Sequence, residues 1–332
     1  MRYCGKISIL GDGGWGTTLA ILLSKKGHRI TLWGAFGNYV EYLKKYRENK
    51  KFLPGIRIPP RIRISSRLQE AIEGSGLIIL AIPSQFLRNI LKKIKKIKYK
   101  DKIFLSVTKG IERKSLLTMS EVIKQELGNV KVAVLSGPTI AYEVARGVPT
   151  ACVVASGDLN IARKMQEIFM TRRLRVYTSR DVIGTELGGS IKNIIAIACG
   201  ISDGLGFGTN TKAALLARGL VEITRLGVAL GAKEKTFSGI SGLGDLVTTC
   251  ISLHSRNRFV GEQIGRGKKM KEIIRKMEMI AEGVATTKSV YDLSRKIKIE
   301  MPITNEVFNV LYKNKSPLHA VDDLMTRERK HE

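Results

Sequence analysis

Acidic residues are scarce in this chain. Of 332 residues, 57 are lysine or arginine and only 29 are aspartate or glutamate, a formal net charge of +28. Histidine and cysteine number four each, and aromatic residues make up 6%. Each shortage removes a class of function. Cys4, Cys152, Cys199 and Cys250 lie far apart, form no Cys-x-x-Cys pair and stand in mostly apolar surroundings, so they read as reduced, buried thiols. His28, His254, His319 and His331 have no ligand spacing either, and no metal site is expected.

The positive excess would attract nucleic acid, anionic lipid or phosphorylated metabolites. Its dense runs, residues 92–102 and 268–276, are not interleaved with the aromatic side chains on which bases stack. They read as solvated basic surface, and no specific nucleic-acid partner is expected. No apolar run reaches the ~18 residues of a membrane span and no cleavable signal is seen, so membrane insertion is not expected and a cytoplasmic location is.

What is present is enough apolar residue, 43%, to give each of about two domains a core. Lys6–Leu10 is a short β-like run leading straight into Gly11-Asp12-Gly13-Gly14-Trp15-Gly16 and a helical stretch from Thr17 to Lys26. Strand, G-x-G-x-x-G and helix together form a dinucleotide-binding signature. Gly11 permits the tight turn, Gly13 the approach of the backbone to a pyrophosphate, and Gly16 close packing of helix on strand. Arg29–Trp33 completes a βαβ unit. Its end should meet the adenosine ribose, where an acid favours NAD and a base NADP. Gly34-Ala35-Phe36-Gly37-Asn38 holds neither, so NAD or NADP is left open, with Lys44 or Arg47 either reaching a 2′-phosphate or lying on a solvated helix face.

The α/β alternation resumes with apolar strands at Leu77–Ile82, Lys102–Val107, Val130–Leu135, Thr150–Ala155 and Arg173–Thr178. Lys109 follows Lys102–Val107 at its carboxyl edge, where open α/β sheets bind ligands; the alternative is an exposed loop lysine. Gly137 and Thr139 stand at the same edge after Leu135, placed to approach a nicotinamide. From Asp181 onward the strand signal gives way to helical periodicity. The expected fold is therefore α/β, a Rossmann-like, mostly parallel sheet domain over residues 1–180, followed by an all-helical domain over 181–332 that carries substrate and catalysis.

In that second half, Ile191–Ile201 is interrupted only by Lys192, Asn193 and Gly200, too narrow a polar face for a surface helix. Lys192 is either a cleft-lining amine or a lysine snorkelling along apolar surface, and Gly188 and Gly189 would leave a notch beside it. Asp245, in a glycine-rich loop, is a partner for a lysine or a simple helix cap. Ser255, Arg256 and Asn257 offer hydroxyl, guanidinium and amide donors suited to a phosphate dianion, or are ordinary surface polarity. The Met301–Glu306 stretch opens what reads as the last helix, and the tail from Arg327 is expected to fray.

Taken in order, GDGGWGT at 11–17, FLP at 52–54, TKG at 108–110, SGPT at 136–139, GGSIKN at 188–193, SDGLGFG at 202–208, GLGDL at 242–246, SRNR at 255–258 and EMPIT at 300–304 carry a resemblance. From Lys6 to Arg327 the chain resembles the bacterial type of NAD(P)-dependent sn-glycerol-3-phosphate dehydrogenase. The resemblance implies reversible interconversion of glycerol 3-phosphate and dihydroxyacetone phosphate, run mostly in reduction to supply phospholipid synthesis. It makes Lys192 the proton donor and acceptor, and Lys109, Asp245, Ser255, Arg256 and Asn257 substrate contacts, with Gly137 and Thr139 also facing substrate. Lys109 and Asp245 would join Lys192 in catalysis, Lys109 steadying the oxyanion.

The same resemblance makes Gly14, Trp15, Ala141, Arg256, Ile280 and Glu282 dinucleotide contacts, beside Lys109 and the glycines Gly11, Gly13 and Gly16. A homodimer is left open. Two positions depart from the family pattern: Gly14 where serine is frequent, and Ala35 where a base is usual, which puts NADP preference in question. The rivals are a dehydrogenase of the same build acting on a 3-hydroxy acid or ketopantoate, and a non-catalytic dinucleotide sensor or nucleic-acid binder.

Overall fold

The computed structural model describes residues 5–277, 280–329 and 331. The described residues fall into two units: those within 1–109 and 118–186, and those within 110–117 and 187–332.

The first unit holds strands β1 (Lys6–Leu10), β2 (Arg29–Trp33), β3 (Glu48–Asn49), β4 (Leu53–Arg57), β5 (Arg63–Ser65), β6 (Ser75–Leu80), β7 (Ile103–Ser106), β8 (Lys131–Ser136), β9 (Thr150–Ala155) and β10 (Leu174–Ser179), of which β1, β2 and β6 to β10 are built on isoleucine, leucine and valine and β3 to β5 are not. Eight of them make one sheet in the order β10-β9-β8-β7-β6-β1-β2-β5. Every neighbouring pair is parallel except β8 with β9, so the sheet is mostly parallel as the alternation predicts. Ile7, Ile9, Leu77, Ile79 and Leu105 are fully buried in the core that helices cover.

Strand order turns around at β1, which lies between β6 and β2. Chain connections leave in opposite directions there and open a crevice beyond the carboxyl ends, where this architecture binds ligands. The helix Gly14–Lys25 starts from that point and returns the chain to β2. The short strands β3, β4 and β5 depart from the sequence expectation, since Pro54, Gly55, Pro59 and Pro60 signal a loop. Pro54 is tolerated because β4 pairs only with β3, leaving its other edge free of ladder bonds.

The second unit is helical. Its central helix, Val182–Gly204, belongs to this unit from Leu187 onward. By length and composition it could cross a bilayer, against the expectation that no run is long enough, yet 83% of its most apolar window is buried within the protein. Glycines set how another helix, Arg256–Gly265, lies on it. A Cβ on Gly261 would run into the carbonyl of Ile197, one on Gly265 into that of Ile201, and one on Gly200 into that of Arg258. Backbones at that separation exclude any side chain at the crossing. Asp203 secures the same region, accepting from Arg258 Nε and from Lys212 Nζ, each at 2.7 Å.

The Pro302–Lys313 helix is not the last. Pro317 opens a further one, Pro317–Met325, using proline in the first turn as Pro302 does. Arg327, where fraying is expected to begin, pairs with Glu300; residues 330 and 332 lie outside the described residues. Cys152, Cys199 and Cys250 are buried free thiols, and burial pushes Cys152 up to about 12. Cys4 lies outside the described residues. Among the described residues no cluster of His, Cys, Asp and Glu could hold a metal ion.

Candidate active site

The glycine turn of the first unit has the shape its spacing predicts. Gly11 sits at φ +121°, in the region side chains rarely enter, and a Cβ there would strike the carbonyl of Ala81. A Cβ on Gly16 would overlap the carbonyl of Gly11, so the helix closes directly onto the turn. Gly13 differs: nothing lies within 4 Å of where its Cβ would be. That open face adjoins a helix whose first turn has no side-chain cap. Uncapped N–H groups and open space fit a pyrophosphate.

Trp15 packs half-buried against the core. Ala141 lies beside Gly14, and its carbonyl accepts from Thr18 Oγ1 at 3.0 Å. One residue of this half is not singled out by the sequence. Asn49 is fully buried, and its amide donates to the carbonyl of Asp12 and to Thr17 Oγ1, each at 2.7 Å, fixing both ends of the turn. Tyr39 holds it in place from the other side, donating to Asn49 Oδ1 at 2.6 Å. An asparagine alone in a polar stretch gives no sequence signal of this.

Both basic candidates for a 2′-phosphate have protein partners. Lys44 pairs with Glu41 at 2.8 Å, and Arg47 donates to the carbonyl of Ile62 at 2.7 Å.

Beyond β7 and β8, Lys109, Gly137 and Thr139 come together. Lys109 Nζ donates to the carbonyl of Gly137 at 3.0 Å, and Thr139 Oγ1 to the same oxygen at 3.1 Å. Gly137, at φ +137°, leaves no room for a Cβ against Cys152 Cα. Lys109 is thus a held, half-buried cation at the carboxyl edge, and not a loose loop lysine.

In the second unit Lys192 is 5% exposed and does not snorkel. Its Nζ donates to Asp245, itself 1% exposed, and to Thr249 Oγ1 at 2.6 Å. Asp245 follows one turn of π-helix, Ile240–Gly244, and opens the helix Asp245–Ile251 that also carries Thr249. Such turns recur where a helix must aim a functional side chain. The notch expected at Gly188 is not open: a Cβ there would meet the carbonyl of Ser241 at 2.6 Å, so backbone fills the space. Gly188 lets the π-turn approach close enough for Asp245 to reach Lys192.

Ser255 caps the Arg256–Gly265 helix, accepting from Arg258 N at 3.2 Å. Arg256 is exposed and donates to the carbonyl of Ile280 at 2.9 Å. Asn257 is buried, and its Oδ1 accepts from Gly283 N at 2.9 Å. A Cβ on Gly283 would meet both Asn257 and the carbonyl of Asn193, which neighbours Lys192 in sequence. The triplet, Ile280 and the start of the Glu282–Lys296 helix are therefore one cluster, continuous with the lysine site. The Arg256 guanidinium, helix N–H groups and a buried amide make an anion cradle.

The sequence profile described as NAD-dependent glycerol-3-phosphate dehydrogenase N-terminus matches residues 6–162, and that of the C-terminus matches 181–322. The chain belongs to this dehydrogenase family. It is 52% identical over 327 residues to a glycerol-3-phosphate dehydrogenase [NAD(P)+] of Thermoanaerobacter sp. (strain X514), covering 98% of each chain. A counterpart from Chlorobium limicola is 47% identical over 329 residues, covering 98% of this chain and 99% of the other. The crystal structure of glycerol-3-phosphate dehydrogenase from Coxiella burnetii superposes with a TM-score of 0.95 at 39% identity, covering 98% of this chain and all of the other.

Family membership bears on the two departures. Gly14 keeps its N–H but has no room for a serine side chain, since a Cβ would meet the carbonyl of Phe52 at 2.6 Å. The FLP motif thus lies against the turn. Ala35 is exposed and brings no charge to the end of β2.

Proposed function

We propose that this chain is an NAD(P)-dependent glycerol-3-phosphate dehydrogenase in which Lys192 moves the proton. It interconverts dihydroxyacetone phosphate and sn-glycerol 3-phosphate, a secondary-alcohol oxidoreduction whose product is the backbone of phospholipids. Residues 1–180 bind dinucleotide and residues 181–332 bind substrate. The cytoplasm is the compartment that suits buried, reduced thiols.

The observation that carries the reading is the buried Lys192, held by Asp245 and Thr249. An ammonium so enclosed is oriented in advance, and the amine can exchange a proton with a substrate oxygen brought beside it. The bound dinucleotide supplies hydride in reduction and takes it in oxidation. Lys192 donates a proton to the C2 oxygen of dihydroxyacetone phosphate as that oxygen gains charge, and takes it back in reverse. Asp245 keeps the amine in place and balances its charge. Lys109 adds positive potential at the developing oxyanion, a contribution often worth about 3 kcal/mol.

Arg256, the helix N–H groups after Ser255 and the Asn257 amide hold the phosphate, so binding far from C2 aligns C2. Gly137 and Thr139 shape the carboxyl edge beside Lys109. On the dinucleotide, Gly11, Gly13, Gly14, Trp15, Gly16 and Ala141 line the pyrophosphate end, with Lys109, Arg256, Ile280 and Glu282 as further contacts.

The test is oxidation of NADH and of NADPH measured with dihydroxyacetone phosphate and, in parallel, ketopantoate. Turnover of the phosphorylated ketone alone supports the reading. Preference for the carboxylated ketone, or salt-sensitive nucleic-acid binding with no nucleotide oxidation, would overturn it.

A further inference from the structure

The end of β2 has no acid of its own, yet a carboxylate lies against it. A Cβ on Gly34, the residue that follows β2, would overlap Asp12 Oδ2. The side chain of Asp12 therefore leaves the glycine turn and reaches the end of the neighbouring strand, and Gly34 has to lack a side chain for it to do so. Oδ2 is buried with no hydrogen-bond partner among the described residues, while Asp12 as a whole is half-buried. Burial raises its carboxyl above the usual range, as expected of a carboxylate short of donors.

No cation is among the causes that set the Asp12 carboxyl, where burial outweighs one backbone hydrogen bond. Ala35 and Phe36 are exposed and uncharged. On the strand beside β2 and just after it, the exposed Arg63 and Arg67 share the single carboxylate of Glu70, while Lys44 pairs with Glu41 and Arg47 donates to the Ile62 carbonyl, so each of these bases is directed to a partner other than Asp12.

In this fold the adenosine ribose lies between the glycine turn and the end of β2. Resting on the dinucleotide reading above, we infer that Asp12 fills the ribose-recognition role from the turn instead of from the strand. Its carboxylate accepts from the ribose hydroxyls of NADH and repels the 2′-phosphate of NADPH. A 2′-phosphate would bring about two negative charges to an uncompensated carboxylate in a partly desolvated place. The chain's net charge of +28 would by itself favour the more anionic NADPH. A preference for NADH cannot come from bulk charge.

The test is direct binding to the full chain without substrate. The two tryptophans, Trp15 and Trp33, lie one in the glycine turn and one at the end of β2, so quenching of their fluorescence reads NADH and NADPH titrations. Wild type should bind NADH at least tenfold more tightly than NADPH. Asp12→Asn and Asp12→Ser, checked for an unchanged melting temperature, should each weaken NADH severalfold and bring the ratio toward one. A wild-type ratio of one or below, or a ratio unchanged in a folded variant, overturns the inference while the dehydrogenase reading stands. Failure of either nucleotide to bind would remove both. If both variants misfold, the wild-type ratio alone decides.

Discussion

Lys192 and Asp245, 53 residues apart in sequence, are a buried ion pair made by two helices, with Thr249, one turn beyond Asp245, holding the same amine. Removing the amine should end proton transfer, a contribution of about 10²–10⁴ in rate. Lys192→Ala should lose kcat by at least about 10²-fold while NADH affinity, read by fluorescence quenching, stays within about twofold. It should also lower the melting temperature, because Asp245 is left as an uncompensated buried charge. Near wild-type turnover would take the acid role from Lys192.

Arg256 and Asn257 stand side by side in the sequence and should fail differently. Arg256 is exposed and donates to the Ile280 carbonyl, so Arg256→Ala should raise KM for dihydroxyacetone phosphate by about 10–100-fold, on the scale of a charged hydrogen bond, with little change in melting temperature. Asn257 is buried and satisfies Gly283 N, so Asn257→Ala should raise KM and also lose about 1–3 kcal/mol of stability. Steady-state kinetics beside denaturant melts separates the two outcomes. Equal loss of stability in both would remove the distinction.

The glycine turn, the parallel strands and the odd lysine in an apolar helix are legible in the sequence because each is a local pattern. The Lys192–Asp245 contact is readable there only as a pairing of residue types. Its geometry depends on Gly188 admitting the Ser241 backbone, whereas helical spacing alone suggests an empty notch at that glycine. The roles of Asn49 and Asp12 are hidden for the same reason. Each acts on a segment distant in sequence or beyond its own strand, and a polar side chain carries no periodicity that says where it points. The strands β3 to β5 are masked by prolines that an edge strand can tolerate.

The helix crossing at Gly261 should be intolerant of a single methyl group. A Cβ there meets the Ile197 carbonyl and lies 2.8 Å from Ile201 N, both backbone atoms that cannot turn aside. Gly261→Ala should therefore destabilise the chain by about 1–3 kcal/mol or more. Gly157, exposed, outside any helix and with nothing within 4 Å of a Cβ, is the control, and Gly157→Ala should stay within about 0.5 kcal/mol. Denaturant melts of the two variants decide it, and equal stability would mean that the helices can slide apart at no cost.

Glu222 gives stability a pH dependence of calculable sign. It is 2% exposed and caps the Pro302–Lys313 helix, accepting from Ile303 N at 2.6 Å and Thr304 N at 3.2 Å. Burial nevertheless outweighs those bonds and pushes its carboxyl up from 4.5 to about 7. Between those values the folded chain keeps a proton that the unfolded chain gives up. The contribution is thus fully present below about pH 4.5 and is lost as pH rises through 7, at most about 3 kcal/mol. Glu186, pushed up to about 7 by burial in the same way, adds a contribution of the same sign. In the comparison of wild type with Glu222→Gln, the Glu186 contribution is common to both and cancels. The variant's melting temperature should fall less than wild type's between about pH 5 and 8, and parallel curves would show that Glu222 is ionised throughout.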